Sequence, residues 1–333
     1  IGQMVQTDIA VATPSDIREY AIGSIISLIP EGNLGTTQAW RDQADAYQAE
    51  ALRTRTGIPV VFGIDAVHGH SYFDGNSVIL PHNIGLGATR NPELVKELAQ
   101  ITAEELSATG VRWTFSPNIA VARNIRWGRT FESFGEDVEL QKMFAASMVQ
   151  GYQGDDLTAE HTVGATAKHF IADGATNDGI DRGDATISDA EMRTVHMPGF
   201  VDAIENGVVS VMASFSSVNG EKVHGSKALL TDLLKRELGF KGVVITDWEG
   251  DMAQLEGVDG VLVAPATRNT IAAHLHGLQH GPLLMAMSAA RARGTPLLVV
   301  PSMHHDLADD PVTEDLVEAV QAQGATVLWG PSD

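Results

Sequence analysis

The sequence predicts an α/β fold of the (β/α)8, TIM-type barrel class, on three observations. Short β-rich apolar runs alternate with amphipathic helical stretches along most of the chain. Polar clusters follow these runs one after another, rather than at a single point. The length, 333 residues, suits one large barrel or two ordinary domains.

The apolar runs read as strands lie at 22–29 (IGSIISLI), 59–63 (PVVFG), 111–115 (VRWTF), 163–170 (VGATAKHF), 208–215 (VVSVMASF) and 242–246 (GVVIT). Helical patterns fall between them at 37–54, 92–109, 137–152, 189–206 and 228–238. Asn91-Pro92 and Ser188 have the chemistry of helix starts. Repeated strand–helix alternation implies parallel strands. The polar clusters are Asp65 with His68, Ser116 with Asn118, Lys168 with His169, Ser214 to Asn219, and Asp247 with Glu249. A barrel assembles its site from the C-terminal ends of several strands. An open doubly wound sheet gathers ligands at one switch point. The spread of clusters favours the barrel.

From about residue 257 the character changes: a strand at 260–264, a long helix at 268–293, a strand at 296–300, a helix at 312–323 and a strand at 326–329. Six earlier strands and the first two of these make eight, so the tail is expected to extend or close the barrel sheet. The alternative is half of a separate flavodoxin-like layer. The expected division is therefore 1–256 and 257–333.

Composition excludes several classes. The net charge of −21 would repel phosphate and argues against nucleic-acid binding. With no cysteine, disulfides, thiolate metal sites and cysteine nucleophiles are ruled out. No apolar run reaches the roughly 18 residues of a membrane span. The chain opens on Ile1-Gly2-Gln3-Met4, without a start methionine or signal-peptide pattern, and is expected to be a fragment or mature form.

Asp247 stands in VITDWEG (244–250), where an apolar strand gives way to a carboxylate beside the indole of Trp248. That placement suits attack on an anomeric carbon, with the indole facing the sugar; the plainer reading is an Asp capping the next helix. Lys168-His169 ends another strand and offers donors to hydroxyls, or simply solvates a surface. Asp65, in GIDAVHG (63–69), is a hydroxyl acceptor or a loop former. Arg126-Trp127-Gly128-Arg129 offers guanidinium and indole to a sugar, or a structural ion pair with Glu132 or Glu136.

These segments resemble family 3 glycoside hydrolases almost continuously from residue 2 to residue 250. The ordered blocks are IGQM (1–4), GIPVVFGIDAVHGH (57–70), LPHNIGLGATRNPEL (80–94), RWGRTFESFGED (126–137), AKHFIADGATNDGID (167–181), VMASFSSVNGEKVHG (211–225) and LLTDLLKRELGFKGVVITDWEG (229–250). The resemblance implies a retaining β-glucosidase-type hydrolase with Asp247 as nucleophile. It implies Asp65, Arg129, Lys168 and His169 as contacts to the innermost sugar, with Trp248 beside it, and a β-glucoside or oligosaccharide as substrate. Neither metal nor cofactor is required, and the family suggests a periplasmic or secreted location. Asn124 stands where Asp is usual, and Ile79-Leu80 where Val-Phe is usual. In β-glucosidase members the acid/base Glu usually comes from a second domain, which is not found here. Glu249, Glu132 and Asp173 are the carboxyl groups to weigh for that role.

Residues 260–331 instead resemble the C-terminal half of a phosphopantothenoylcysteine decarboxylase-type flavoprotein, on VLVAPATRNTIA (261–272) and PLLVVPSMH (296–304). That resemblance implies Asn269 near a flavin (FMN), although Arg268 replaces the usual Ala and the family's N-terminal half is missing. Each half thus reads as truncated, and a constructed chimera is the expected explanation. The rival functions are a catalytically silent scaffold and a flavin-binding protein.

Overall fold

A computed structural model describes residues 2–9, 12–26, 35–71, 77–247, 261–277, 282–301 and 310–328. The chain forms two compact units, Ile1–Asp247 and Trp248–Asp333.

The first unit is built on parallel strands β1 (Gln6–Asp8), β2 (Ser24–Ile26), β3 (Val61–Ile64), β4 (Trp113–Thr114), β5 (Thr166–Phe170), β7 (Ser210–Ala213) and β10 (Val243–Ile245). One ladder runs β1-β2-β3-β4 and another β5-β7-β10, every pairing parallel. Parallel bridges Trp113↔Gly164 and Asn118↔Lys168 stitch the two ladders together. Each strand therefore lies beside its predecessor, with no reversal of order. That is the arrangement of a barrel wall and not of a doubly wound sheet, whose order reverses at its switch point. A small sheet of β6 (Asp184–Ala185), β8 (Ser217–Val218) and β9 (Glu221–Lys222) decorates the loops that follow β5 and β7.

The expected runs at 59–63, 111–115, 163–170, 208–215 and 242–246 all contain strands, shorter than the runs themselves. Residues 27–29 lie outside the described residues. β1 was not expected, because three residues without an apolar run carry no periodic signal.

The helices cover this wall through apolar stripes. α2 (Thr37–Ala51) starts on Thr36, whose hydroxyl accepts from Ala39 N at 3.1 Å. Asn91 caps α4 (Pro92–Ala108) by accepting from Leu94 N at 3.1 Å, with Pro92 at the first position, where its missing N–H costs nothing. α4 buries Val95, Ala99, Thr102, Ala103 and Leu106, one helical stripe. α5 (Val138–Gln153) packs there closely: a Cβ on Gly151 would stand 2.5 Å from Lys96 O and 2.6 Å from the Ala99 Cβ. Phe134, Phe144 and Tyr152 complete this part of one continuous core.

The expected helix at 189–206 is broken. α6 (Asp189–Glu191) runs into a wider π-type turn (Met192–His196), and α7 (Pro198–Glu205) starts afresh. Proline cannot donate to the preceding turn, so the break falls at Pro198. α8 (Ala228–Glu237) is π-wound throughout. α1 (Pro14–Tyr20) and α3 (Asn83–Thr89) complete the unit's helices among the described residues.

In the second unit β11 (Val261–Ala266), β12 (Leu297–Pro301) and β13 (Thr326–Val327) form one parallel sheet. The expected pairing of 260–264 with 296–300 is present, as Val261↔Leu297 to Val263↔Val299. Among the described residues these strands form a sheet of their own and add no rung to the first unit's ladders. The single helix expected at 268–293 is two, α9 (Arg268–Leu275) and α10 (Pro282–Arg293). Gly277, at φ 70°, sits in the left-handed region that follows a helix end, and Pro282 opens the next helix. α11 (Pro311–Ala322) follows, capped by Asp310.

Candidate active site

The strands of the first unit deliver their polar ends to one place. Asp65 directly follows β3, and Lys168 and His169 lie in β5. Asp247 stands two residues beyond β10, and Arg129 caps a short turn (Thr130–Glu132) in the loop after β4. Asn118 reaches the same place because Ile119 N bonds Lys168 O at 2.9 Å and Lys168 N bonds Pro117 O at 3.0 Å.

Contacts tie these residues into one cluster. Lys168 Nζ donates to Asp65 Oδ1 at 2.5 Å, although the lysine is only 3% exposed. Arg129 grips Glu132 with two parallel bonds, Nε to Oε1 and an Nη to Oε2, both 2.8 Å. Its guanidinium also lies 3.1 Å from His169 Nε2 and 3.9 Å from Asp173 Oδ2. His169 stands between two carboxylates, with Nδ1 3.0 Å from Asp173 and Nε2 3.5 Å from Asp247.

Arginine can only donate. In the 3.1 Å contact Arg129 is therefore the donor, and the other ring nitrogen of His169 stands toward Asp173. Asp173 is itself held by Ser214 Oγ at 3.2 Å and Ser216 Oγ at 3.0 Å.

The electrostatics separate the carboxyl groups. Burial would raise the Glu132 pKa, but its bonds to Arg129 and the charge of Lys168 win and hold it down to about 2. Asp173 is likewise held near 2, because His169 and Arg129 outweigh its desolvation. Burial opposes the charge on Arg129 too, yet Glu132, Asp173 and Asp247 hold its pKa above the ordinary arginine value. Glu132 and Asp173, weighed earlier for the acid, are thus kept ionised at neutral pH and poorly suited to deliver a proton.

The structure gathers Asp65, Arg129, Lys168, His169 and Asp247. Trp248 and Glu249 lie outside the described residues. Asn269 belongs to the second unit, exposed in the first turn of α9. In Arg126-Trp127-Gly128-Arg129 only Arg129 joins the cluster. Arg126 is exposed, and Trp127 is buried against Ala120 and Ala122, so its indole anchors the loop. Of the two ion-pair partners considered for this segment, Glu132 is the one Arg129 holds.

Sequence reasoning gave no role to His224, whose Nε2 accepts from Asp247 N at 3.2 Å. The only signal was its place in a matching block. Among the described residues no group of three or more His, Asp or Glu is arranged to hold a metal. No helix among them is long and apolar enough to cross a membrane.

Residues 1–274 match the glycosyl hydrolase family 3 N-terminal domain. The chain belongs to glycosyl hydrolase family 3. Among its relatives, the lysosomal beta glucosidase of Dictyostelium discoideum is 33% identical over 274 residues, 75% of this chain and 33% of the relative. The beta-xylosidase of Formosa agariphila is 37% identical over 221 residues, 64% of this chain and 30% of the relative. The chain thus spans about a third of the length of these curated relatives. The crystal structure of an exo-1,3/1,4-beta-glucanase from a Pseudoalteromonas species superposes with a TM-score of 0.72 at 40% identity, covering 88% of this chain and 40% of that one.

The first unit is accordingly the family 3 (β/α)8-type barrel. The family match continues through β11 and into α9, ending at residue 274, so it includes Asn269 and the boundary expected at 256/257.

Proposed function

We propose that the chain carries the catalytic barrel of a retaining β-glucosidase-type hydrolase, with Asp247 as nucleophile. The observation that supports this best is the cluster itself: a buried Asp247 just beyond a strand end, facing His169, in the same cluster as the Lys168–Asp65 and Arg129–Glu132 pairs. In this reading an Asp247 oxygen attacks the anomeric carbon while the glycosidic C–O bond breaks. The leaving oxygen departs with a proton from an acid, or as an anion if it is stable enough. Water then attacks the glycosyl-enzyme ester, releasing the sugar and restoring the carboxylate.

Asp65, Lys168, Arg129 and His169 contact the hydroxyls of the innermost sugar. The internal pairs keep these groups at fixed positions, so hydroxyls meet preset donors and acceptors. β-Linked glucosides are the proposed substrates, in keeping with a glucosidase and a glucanase among the similar proteins. The xylosidase relative makes an aryl β-xyloside the proper comparison. The test is release of aryl alcohol from aryl β-glucoside and β-xyloside by the chain and by Asp247→Ala. Hydrolysis that survives in Asp247→Ala would refute the assignment.

A second reading concerns Asn269. It follows a strand of a parallel α/β layer, where such layers bind ligands. Flavin binding there would give the purified chain a flavin absorption band; a colourless protein that takes up no added FMN refutes it. A chain showing neither flavin nor hydrolysis is the silent scaffold.

A further inference from the structure

We propose that His224 is a positioning residue for Asp247, accepting the aspartate's main-chain N–H and so fixing where its carboxylate stands. The proposal rests on the reading of Asp247 as nucleophile.

The β7–β10 ladder ends at Ile245↔Met212, so Asp247 lies beyond the pairing that fixes β10. There its amide meets His224 Nε2 at 3.2 Å, and both residues are buried. His224 is held in turn. It sits in a short turn (Val223–Gly225) directly after β9, and the Phe215 ring meets its imidazole edge-on at 5.2 Å between centroids. One imidazole, held in the turn after β9, thereby reaches the main chain of the attacking residue just beyond β10.

The chemistry requires a neutral ring, since a protonated imidazole has no lone pair for an N–H. Burial supplies this by holding the His224 pKa down to about 4, against the opposing pull of Asp247. His224 thus resembles the buried His70, which bonds Thr109 Oγ1 at 2.9 Å, in being buried and bonded. It differs in that its partner is the amide of the attacking residue.

The test compares His224→Gln with His224→Asn. The glutamine oxygen reaches the place of Nε2 and accepts the same N–H. The shorter asparagine reaches only the place of Nδ1. Two quantities are measured in the full chain: hydrogen exchange of the Asp247 amide, and kcat and KM on an aryl β-glucoside.

His224→Asn is expected to speed exchange at Asp247 about tenfold or more. It should lower kcat on the order of 10- to 100-fold at nearly unchanged KM, as a small misplacement of a reacting group does. His224→Gln should restore most of both. Exchange and kcat unchanged in His224→Asn would overturn the proposal, as would equal damage in the two variants. If the parent chain shows no hydrolysis that Asp247→Ala removes, the nucleophile reading fails by itself, and the exchange comparison still decides the hydrogen bond.

Discussion

Glu132→Gln isolates what the Arg129 clamp contributes. The glutamate takes two parallel bonds of 2.8 Å from the guanidinium and a third, of 3.0 Å, from Asn118 Nδ2. Glutamine is nearly isosteric, but one of its two terminal groups is a donor that would face the arginine's own donors. The carboxyl pKa falls from 4.5 to about 2 in the folded chain. At ~1.4 kcal/mol per tenfold, the ionised form contributes about 3 kcal/mol of stability at neutral pH.

Because the folded value lies below the unfolded one, this contribution is complete above pH 4.5 and is lost as pH falls towards 2. At pH 3 about 1.5 kcal/mol should remain. Urea unfolding of the two proteins, followed by tryptophan fluorescence at pH 7 and pH 3, measures the gap directly. It should be about 3 kcal/mol at pH 7 and roughly halve at pH 3. A gap of the same size at both pH values would refute the argument, since a loss of packing does not titrate.

Three further outcomes follow from the same cluster. Asp173→Asn removes a buried carboxylate whose pKa is held near 2, and should cost about 2 kcal/mol at pH 7 in chemical unfolding, again shrinking in acid. Gly174→Ala puts a Cβ 2.2 Å from Val121 O, a main-chain atom that cannot turn aside, and should lower stability by about 1–3 kcal/mol in the same unfolding assay. In hydrolysis, kcat/KM for an aryl β-glucoside should exceed that for a β-linked glucose disaccharide by about 10²–10⁴-fold, the usual contribution of a general acid. The reason is that Glu132 and Asp173 are held ionised; equal rates on both substrates would show that an acid operates nonetheless.

What the sequence made legible depended on the range of the signal. Strands such as Val61–Ile64 and Thr166–Phe170 announce themselves through apolar runs with polar ends, and those ends carried Asp65, Lys168, His169 and Asp247 into the candidate site. The continuous pattern over 189–206 hid a break, because amphipathic spacing survives on both sides of Pro198 while the backbone does not. β6, β8 and β9 are two residues each, too short for any period. Trp127 sits beside Arg129 in sequence, yet only the fold reveals that its ring turns inward onto Ala120 and Ala122. His224 was beyond local reading, since its partner lies 23 residues away and contributes an amide, which no side-chain pattern reveals.

The pairing around Asp247 also decides what sort of charge the mouth welcomes. Four acidic side chains, Asp65, Glu132, Asp173 and Asp247, meet Arg129, Lys168 and His169. Acidic side chains thus outnumber the arginine and lysine there by four to two. Positive charge that develops on a ring oxygen and anomeric carbon would be stabilised there. A protonated iminosugar should consequently bind more tightly than a neutral sugar of the same shape, and a uronic acid, carrying its own carboxylate inward, should be turned away.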